Sequence, residues 1–289
     1  MPNTREINRR IKSVQNTRQI TRAMEMVSAT KMRRAKEAVA RSRDYATKAN
    51  RLMAAAAGAS DDVTGQPLLA ERPVKNVAVV VFTTDRGLAG AMNTNVLRFT
   101  RETVEAQPGE ASYVVVGKQA QTGVNRFGGT MLASFVDLPD TPHYADVLPI
   151  AKVLIDEFSS GRVDRVLMTY PRFISTLTNR PQADQLLPAT APEPAEETEA
   201  PPATSALTLF EPSPEAVLES LLPRMIEIRL WQALLETKAS EHSSRMLAMR
   251  NASTNASDLM DELKLSFNEA RQAAITTEIA EIAAAAAMA

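Results

Sequence analysis

The chain has 289 residues with 33 basic and 34 acidic side chains and no cysteine, which excludes disulfides, thiolate metal ligands and thiol switches. Hydrophobic residues make up 44% but aromatics only 4%, with Trp231 the single tryptophan, so burial must come from Ala, Val, Leu, Ile and Met and favours slim helical packing. No apolar run approaches the roughly 18 residues of a membrane span, and MPNTREINRR lacks a secretory apolar stretch, so a soluble, intracellular chain is expected.

Asn3 to Ala57 contains neither glycine nor proline and is expected to be one helix, within an N-terminal region 1–60. Met1 to Ala57 holds 14 basic against four acidic side chains, a balance of +10 by subtraction. Its apolar seam reads in two frames, Ile7, Ile11 and Val14 and then Ile20, Met24 and Val27, with small residues such as Ala35 and Ala38 beyond.

All ten glycines lie between Gly58 and Gly161, so the middle is the turn-rich part. Val77–Phe82 is a β-branched run followed by a Gly-containing turn and a helical pattern from Asn93 to Glu105. SYVVVGK and RVLMTYPRF are two more strands, with a helical stretch Asp146–Phe158 between them. Strands alternating with helices predict a small, mostly parallel α/β domain over 74–211. Within it, PATAPEPAEETEAPP is too polar and proline-rich to pack, which makes 188–203 a disordered loop, and LTLFEPSPE gives a last short strand.

Ser213-Pro214-Glu215 is a start signal for the C-terminal helical region 212–289, free of breakers from Arg224 onward. Ala239, His242, Met246, Met249, Ser253, Ala256, Met260, Leu263, Phe267, Ala270 and Ala274 follow at alternating steps of three and four, a heptad seam. At about 1.5 Å per residue the first helix would reach on the order of 80 Å and the second on the order of 110 Å, too long for a globule of this size. They are expected to pair as a coiled coil, antiparallel because the α/β segment joins the end of one to the start of the other. The first helix then runs out near Ala270 of the second, where Ile275, Ile279 and Ile282 begin a new face. Such a tip requires a surrounding partner.

Other readings of single features are weaker. The basic first helix lacks the interleaved aromatics of a nucleic-acid surface, so a solvated face drawn to acidic loops accounts for it better; a coiled-coil adaptor or nucleic-acid-binding scaffold stays as the alternative on the residues alone. DRGLAGAMN has neither the GxGxxG spacing nor a Walker lysine and reads as a plain tight turn. His242 sits in the seam as a packed histidine and His143 follows a proline in a loop. The methionines at 246, 249 and 260 are adaptable packing, and Glu278 and Glu281 suffice to keep a tip soluble. No cluster suggests catalysis, a cofactor or a metal.

IKSVQNTRQITRAMEMVSATKMRRA, TTDRGLAGAMNTN, EHSSRMLAMRNASTNA and FNEARQAAITTEI stand in the order and spacing of the gamma subunit of F-type ATP synthases, the central rotor shaft. The chain resembles that family over its whole length. The resemblance implies a long antiparallel coiled coil of N- and C-terminal helices with an inserted Rossmann-like α/β domain. It further implies a noncatalytic chain of a bacterial complex, rotating inside a hexameric ring of alpha and beta subunits. That chain would couple hydrogen or sodium ion transport to ATP synthesis or hydrolysis. Implied neighbours are the epsilon subunit and the membrane c-ring at the foot, which puts the chain on the cytoplasmic face of the cell membrane as a peripheral component, and on this resemblance no nucleic-acid partner is expected. By position, Met24, Lys31, Arg33, Arg34 and Lys36 lie where the family's shaft faces an acidic loop of the catalytic subunits, and Arg245 in the block associated with coupling. Arg271, Gln272, Thr276 and Glu278 match the upper contact region, Ile279, Ile282 and Ala289 the tip bearing, and Gly87, Gly90, Asn93 and Asn95 the strand-to-helix turn. The turn here lacks the family's common cysteine and paired glycines. The cysteine-bearing insertion of the chloroplast relatives is absent, so no redox control is expected, and the Pro/Glu-rich insertion has no family role.

Overall fold

The computed structural model describes residues 4–59, 66–189 and 213–287, with side chains described outside 50–59, 214, 215 and 287. Two helices, α1 (Thr4–Ala59) and α5 (Pro214–Ala287), bracket β1 (Asn76–Phe82), α2 (Met92–Glu105), β2 (Glu110–Val116), α3 (Lys118–Arg126), β3 (Thr130–Phe135), α4 (Leu148–Ser159), β4 (Arg165–Phe173) and β5 (Asn179–Leu187). The chain divides into two compact units, one of Met1–Thr30 with Arg245–Ala289 and one of Lys31–Ser244.

In the larger unit the sheet order is β3-β2-β1-β4-β5. The first four strands run parallel and β5 is antiparallel to β4. Central β1 is NVAVVVF, whose branched side chains suit a strand covered on both faces. Alternation sends Ala78, Val80 and Phe82 to one core, shared with Ile150, Leu154 and Phe158 of α4 and with Leu218, Leu222 and Ile226 of α5. Val77, Val79 and Val81 go to the other, shared with Val96 of α2 and with Ala120 and Val124 of α3. Parallel strands need such crossover helices, and here they cover both faces. The early part of α5 thus belongs to the core of this unit rather than lying on its surface.

Three elements go beyond the sequence-based reading: α3, β3 and β5. Helix α3 carries Gly123 in its interior, where an added Cβ would lie 2.5 Å from Leu97 Cδ1, so the glycine buys close approach of α2 at the cost of a clear helical pattern. Strand β5 reads NRPQADQLL because it is an edge strand, where proline and polar side chains are tolerated. The expected Pro/Glu loop from Thr190 onward and the expected strand in LTLFEPSPE lie outside the described residues.

In the smaller unit, the segments of α1 and α5 run in opposite directions, one leading into the larger unit at Thr30 and the other leaving it at Arg245. Between Ile7 and Ser28 the buried or half-buried positions of α1 are Ile7, Ile11, Val14, Arg18, Thr21, Met24, Glu25 and Ser28, a frame of three and four with Met24 beside it. Of the expected second frame only Met24 is half-buried; Ile20 and Val27 are 60% and 54% exposed, and the first frame continues through Thr21 and Ser28. Thr21 fits because its hydroxyl donates to its own helix at Arg18 O, 3.0 Å, and brings only a methyl to the seam. On α5 the partner stripe is Met249, Ser253, Ala256, Met260, Leu263, Phe267 and Ala270, as the heptad reading expects, whereas Ala274 is exposed.

Candidate coupling surfaces

In the larger unit, where Leu230 and Leu234 fix α5 in the core, Glu236 is carried into a closed position with 1% exposure. Its Oε1 accepts from Arg43 of α1, at 3.2 Å from Nε and 3.0 Å from Nη2, while Oε2 accepts from the backbone N–H of Phe173 at 3.2 Å. Arg43 also donates to Phe173 O at 3.0 Å. One carboxylate and one guanidinium thereby join α1, α5 and the end of β4. The same face of α5 continues with hydroxyls: Ser240 donates to Pro171 O at 2.9 Å, Ser243 to Thr176 O, and Ser244 accepts from Asn179 at 2.8 Å. Spaced at 236, 240, 243 and 244, these groups lie on one side of a helix; Glu236, Ser240 and Ser243 satisfy backbone at the β4–β5 hairpin and Ser244 takes the Asn179 carboxamide.

The basic residues of α1 are not one cluster. Lys31 is half-buried and pairs with Asp140 of the loop after β3, whereas Arg33, Arg34 and Lys36 are exposed. The hydrogen bond from Lys31, reinforced by the charges of Lys31, His242 and Lys238, holds the Asp140 carboxyl below the usual carboxylate range. Buried Lys238 donates to Leu138 O at 3.3 Å and lies 3.8 Å from Glu241. His242 is 2% exposed, as its place in the seam demands.

After β1, the turn is held by its own side chains. Asn93 donates to Thr84 Oγ1 at 2.9 Å and accepts from Thr84 N at 3.3 Å, and Thr84 donates to Arg86 O at 2.6 Å. Asp85 Oδ1 accepts the backbone N–H of Lys118 and of Asp137, at 3.1 and 3.0 Å, tying the ends of β2 and β3 to that of β1. Gly117 has φ +96, and an added Cβ would stand 2.7 Å from Thr83 O. Gly90 adopts φ +59, and the Asn95 N–H donates to Ala91 O at 2.9 Å. The arrangement accounts for Asn93 as a lock on the turn, with its carboxamide already engaged at both ends.

In the smaller unit, Met24 is half-buried and Arg245 is 8% exposed. Arg271, Gln272, Thr276 and Glu278 are all exposed, and the Thr276 hydroxyl is turned back on Gln272 O at 2.9 Å. Ile275, Ile279 and Ile282 are 46%, 61% and 65% exposed, and every described side chain from Ala274 to Ala286 is exposed. Ala289 lies outside the described residues. What sequence reasoning missed is Glu236 with Arg43. The available signal was a run of charged and hydroxyl residues, ETKASEHSS, in a stretch whose neighbours are core leucines.

Among the described residues no group of three or more His, Cys, Asp or Glu could hold a metal, and no helix is long and apolar enough to cross a membrane. A family model described as ATP synthase matches residues 3–288. The ATP synthase gamma chain of Cupriavidus pinatubonensis is 43% identical over 290 residues, covering 99% of each chain. That of Pelotomaculum thermopropionicum is 45% identical over 287 residues, again covering 99% of each. Among solved structures, a chain of the Euglena gracilis mitochondrial ATP synthase, in a complex of OSCP, F1 and c-ring in rotational state 3, superposes with a TM-score of 0.67. It is 19% identical, with 98% of this chain and 93% of that one covered.

Proposed function

The chain belongs to the family of ATP synthase gamma chains, and on that premise we propose that it is the central-stalk rotor of an F-type ATP synthase. It turns inside the ring of alpha and beta subunits and couples ion flow through a membrane c-ring to synthesis or hydrolysis of ATP. The chain itself carries out no chemical step. It is bound peripherally at the cytoplasmic face of the cell membrane, through the c-ring and an epsilon subunit.

The observation that carries this reading is the end of α5. Beyond Ala273 the helix continues with three exposed isoleucines, and after Glu281 it has no charge. A single helix in water gains little from propensity alone and is held by packing of its apolar face, so these isoleucines call for a socket made by other polypeptides. Alanine supports the helix without offering directional contacts, which suits a bearing that must hold at every angle. Arg271, Gln272, Thr276 and Glu278 stand at the entrance to that segment as contact residues. Met24, Arg33, Arg34, Lys36 and Arg245 are further contacts to the catalytic ring, with Lys31 held in place by Asp140.

The test uses the absence of cysteine. Ile279→Cys creates the chain's only thiol; in the assembled complex it is expected to resist a soluble maleimide and to crosslink to the surrounding subunits, and the crosslink to stop turnover. Free labelling of that thiol in the active complex removes the rotor reading.

A further inference from the structure

A cavity of about 630 Å³ opens in the larger unit between α1, the loop after β3 and α5. This size lies within the range of small-ligand sites. Its apolar lining is supplied by Ala35, Ala38, Ile228, Trp231 and Leu235. Tyr144 meets the Trp231 ring edge-on at 6.2 Å between centroids, which fixes the indole as a wall.

The charge around it is one-sided. Lys31, Arg34, Arg41, Arg224 and Lys238 line the cavity against one carboxylate, Asp140. Asp140 is taken up by Lys31, Arg224 by Glu227 at 3.3 Å, and Lys238 by Leu138 O and Glu241. Among the described residues, Arg34 and Arg41 have neither an ion-pair nor a hydrogen-bond partner. They stand seven positions apart on α1, two turns on one face. A second observation is independent of charge. Ser42 also lines the cavity, is 7% exposed, and its hydroxyl has no hydrogen-bond partner, an arrangement folded proteins avoid unless another group completes it.

We propose that this cavity binds a small organic anion with an apolar body, its acidic group held by Arg34, Arg41 and the Ser42 hydroxyl and its body lying against Trp231. Guanidinium pairs well with carboxylate, sulfonate or phosphate, and a partly enclosed setting strengthens the bond. The indole face and the alanines of α1 make a slot that accepts a flat ring or an alkyl chain. The site is separate from the exposed end of α5 but shares Arg34 with the proposed ring contacts, so it is tested on the isolated chain.

The probe is 1-anilinonaphthalene-8-sulfonate, added to the full chain. Because Trp231 is the single tryptophan, excitation of indole reports only dye bound near it. Saturable, one-to-one energy transfer is expected, displaced by monomeric decanoate and weakened by salt. Arg34→Ala with Arg41→Ala is expected to weaken binding about tenfold or more. Both side chains are solvent-facing, so the fold should survive, as far-ultraviolet circular dichroism would register. Ala38→Phe fills the slot and is expected to abolish transfer; Ser42→Ala should weaken it less than the arginine pair. Dye emission without transfer from Trp231, or transfer unchanged in the arginine variant, overturns the proposal. So does displacement by an acidic amphipathic peptide but not by decanoate, or capture of the chain on phosphatidylglycerol vesicles through Arg34 and Arg41 without displacement by the free anion. Those last results would make the face a protein or membrane surface.

Discussion

Helix α5 is held in two different ways along its length. From Ala233 to Ser243 eleven consecutive residues are buried, so that the helix has no outer face there. Between Arg250 and Ala270 only Ala256 is fully buried and contact is limited to one stripe. A helix surrounded on all sides is a structural beam of its domain, whereas a helix touched along one seam can exchange its remaining faces with partners. The contrast teaches where the molecule stores stability and where it leaves surface for work.

The largest effect should come from core deletions that set the two stretches against each other. Leu234→Ala removes a side chain that is 2% exposed and is expected to cost about 2–5 kcal/mol. Leu263→Ala, at a half-buried seam position, should cost less than about 1.5 kcal/mol. Hydrogen exchange read by mass spectrometry locates each loss: the first should loosen β1 and β4 together with α5, the second only the helices of the smaller unit. Equal costs would mean that the two stretches are not held differently.

Next comes the carboxylate joint. Glu236→Ala removes a buried acceptor and leaves the Phe173 N–H without it. Arg43, whose side chain is 42% exposed, can turn to water, which softens the penalty. A loss of about 2–3 kcal/mol is expected in urea unfolding, with Glu236→Gln retaining part of it. A neutral outcome for both variants would mean that packing alone fixes the β4–β5 hairpin to α5.

How much of this was legible beforehand differs between the stretches for the same physical reason. The one-sided stretch declares itself, because a single stripe gives a clean heptad from Met249 to Ala270. The surrounded stretch does not: burial on all sides erases the period, and Glu236, Ser240 and Ser243 look like surface residues until the hairpin backbone that they satisfy is in view. On α1 the reverse error arises, since Ile20 and Val27 are apolar yet face outward while Thr21 and Ser28 hold the seam. Apolar identity marked burial there and misplaced the frame. The β1 strand and its turn were plain from Val77–Phe82 and DRGLAG, but edge strand β5 carries too few apolar residues to be seen from sequence. Of the candidate contacts, the sequence placed Arg271, Gln272, Thr276 and Glu278 on one exposed segment. It could not show that Lys31 is already engaged by Asp140.

A smaller effect follows from titration in the segment between β3 and α4. Burial, followed by the hydrogen bond to Glu227, raises the Tyr144 phenol from 10.0 to about 12. The folded state therefore disfavours the phenolate. The stability this contributes is fully present below pH 10 and is lost as pH rises through about 12. Asp140 works in the opposite sense: its lowered value gives stability that is present above the unfolded value of 3.8 and lost as pH falls through the folded one. Tyr144→Phe should flatten the alkaline limb of the stability profile and Asp140→Asn the acid limb, each leaving the other limb in place.

The smallest effect on stability, and the sharpest separation of stability from function, belongs to the end of α5. Ile275, Ile279 and Ile282 contact little in the chain itself, so replacing all three by serine should leave the unfolding of the isolated chain within about 0.5 kcal/mol per site. In the assembled complex the same change takes three apolar side chains out of the proposed socket, and ATP-driven ion pumping is expected to fall while the complex still forms. Arg271→Ala with Gln272→Ala should act in the same direction, reducing coupling more than assembly. If the serine variant instead unfolded the isolated chain, those isoleucines would be packing against their own polypeptide and the end of α5 would be a beam like Ala233–Ser243. If it pumped normally, the exposed segment would be a solvated end with no bearing surface, and the contact role would have to move down the helix toward the seam at Phe267 and Ala270.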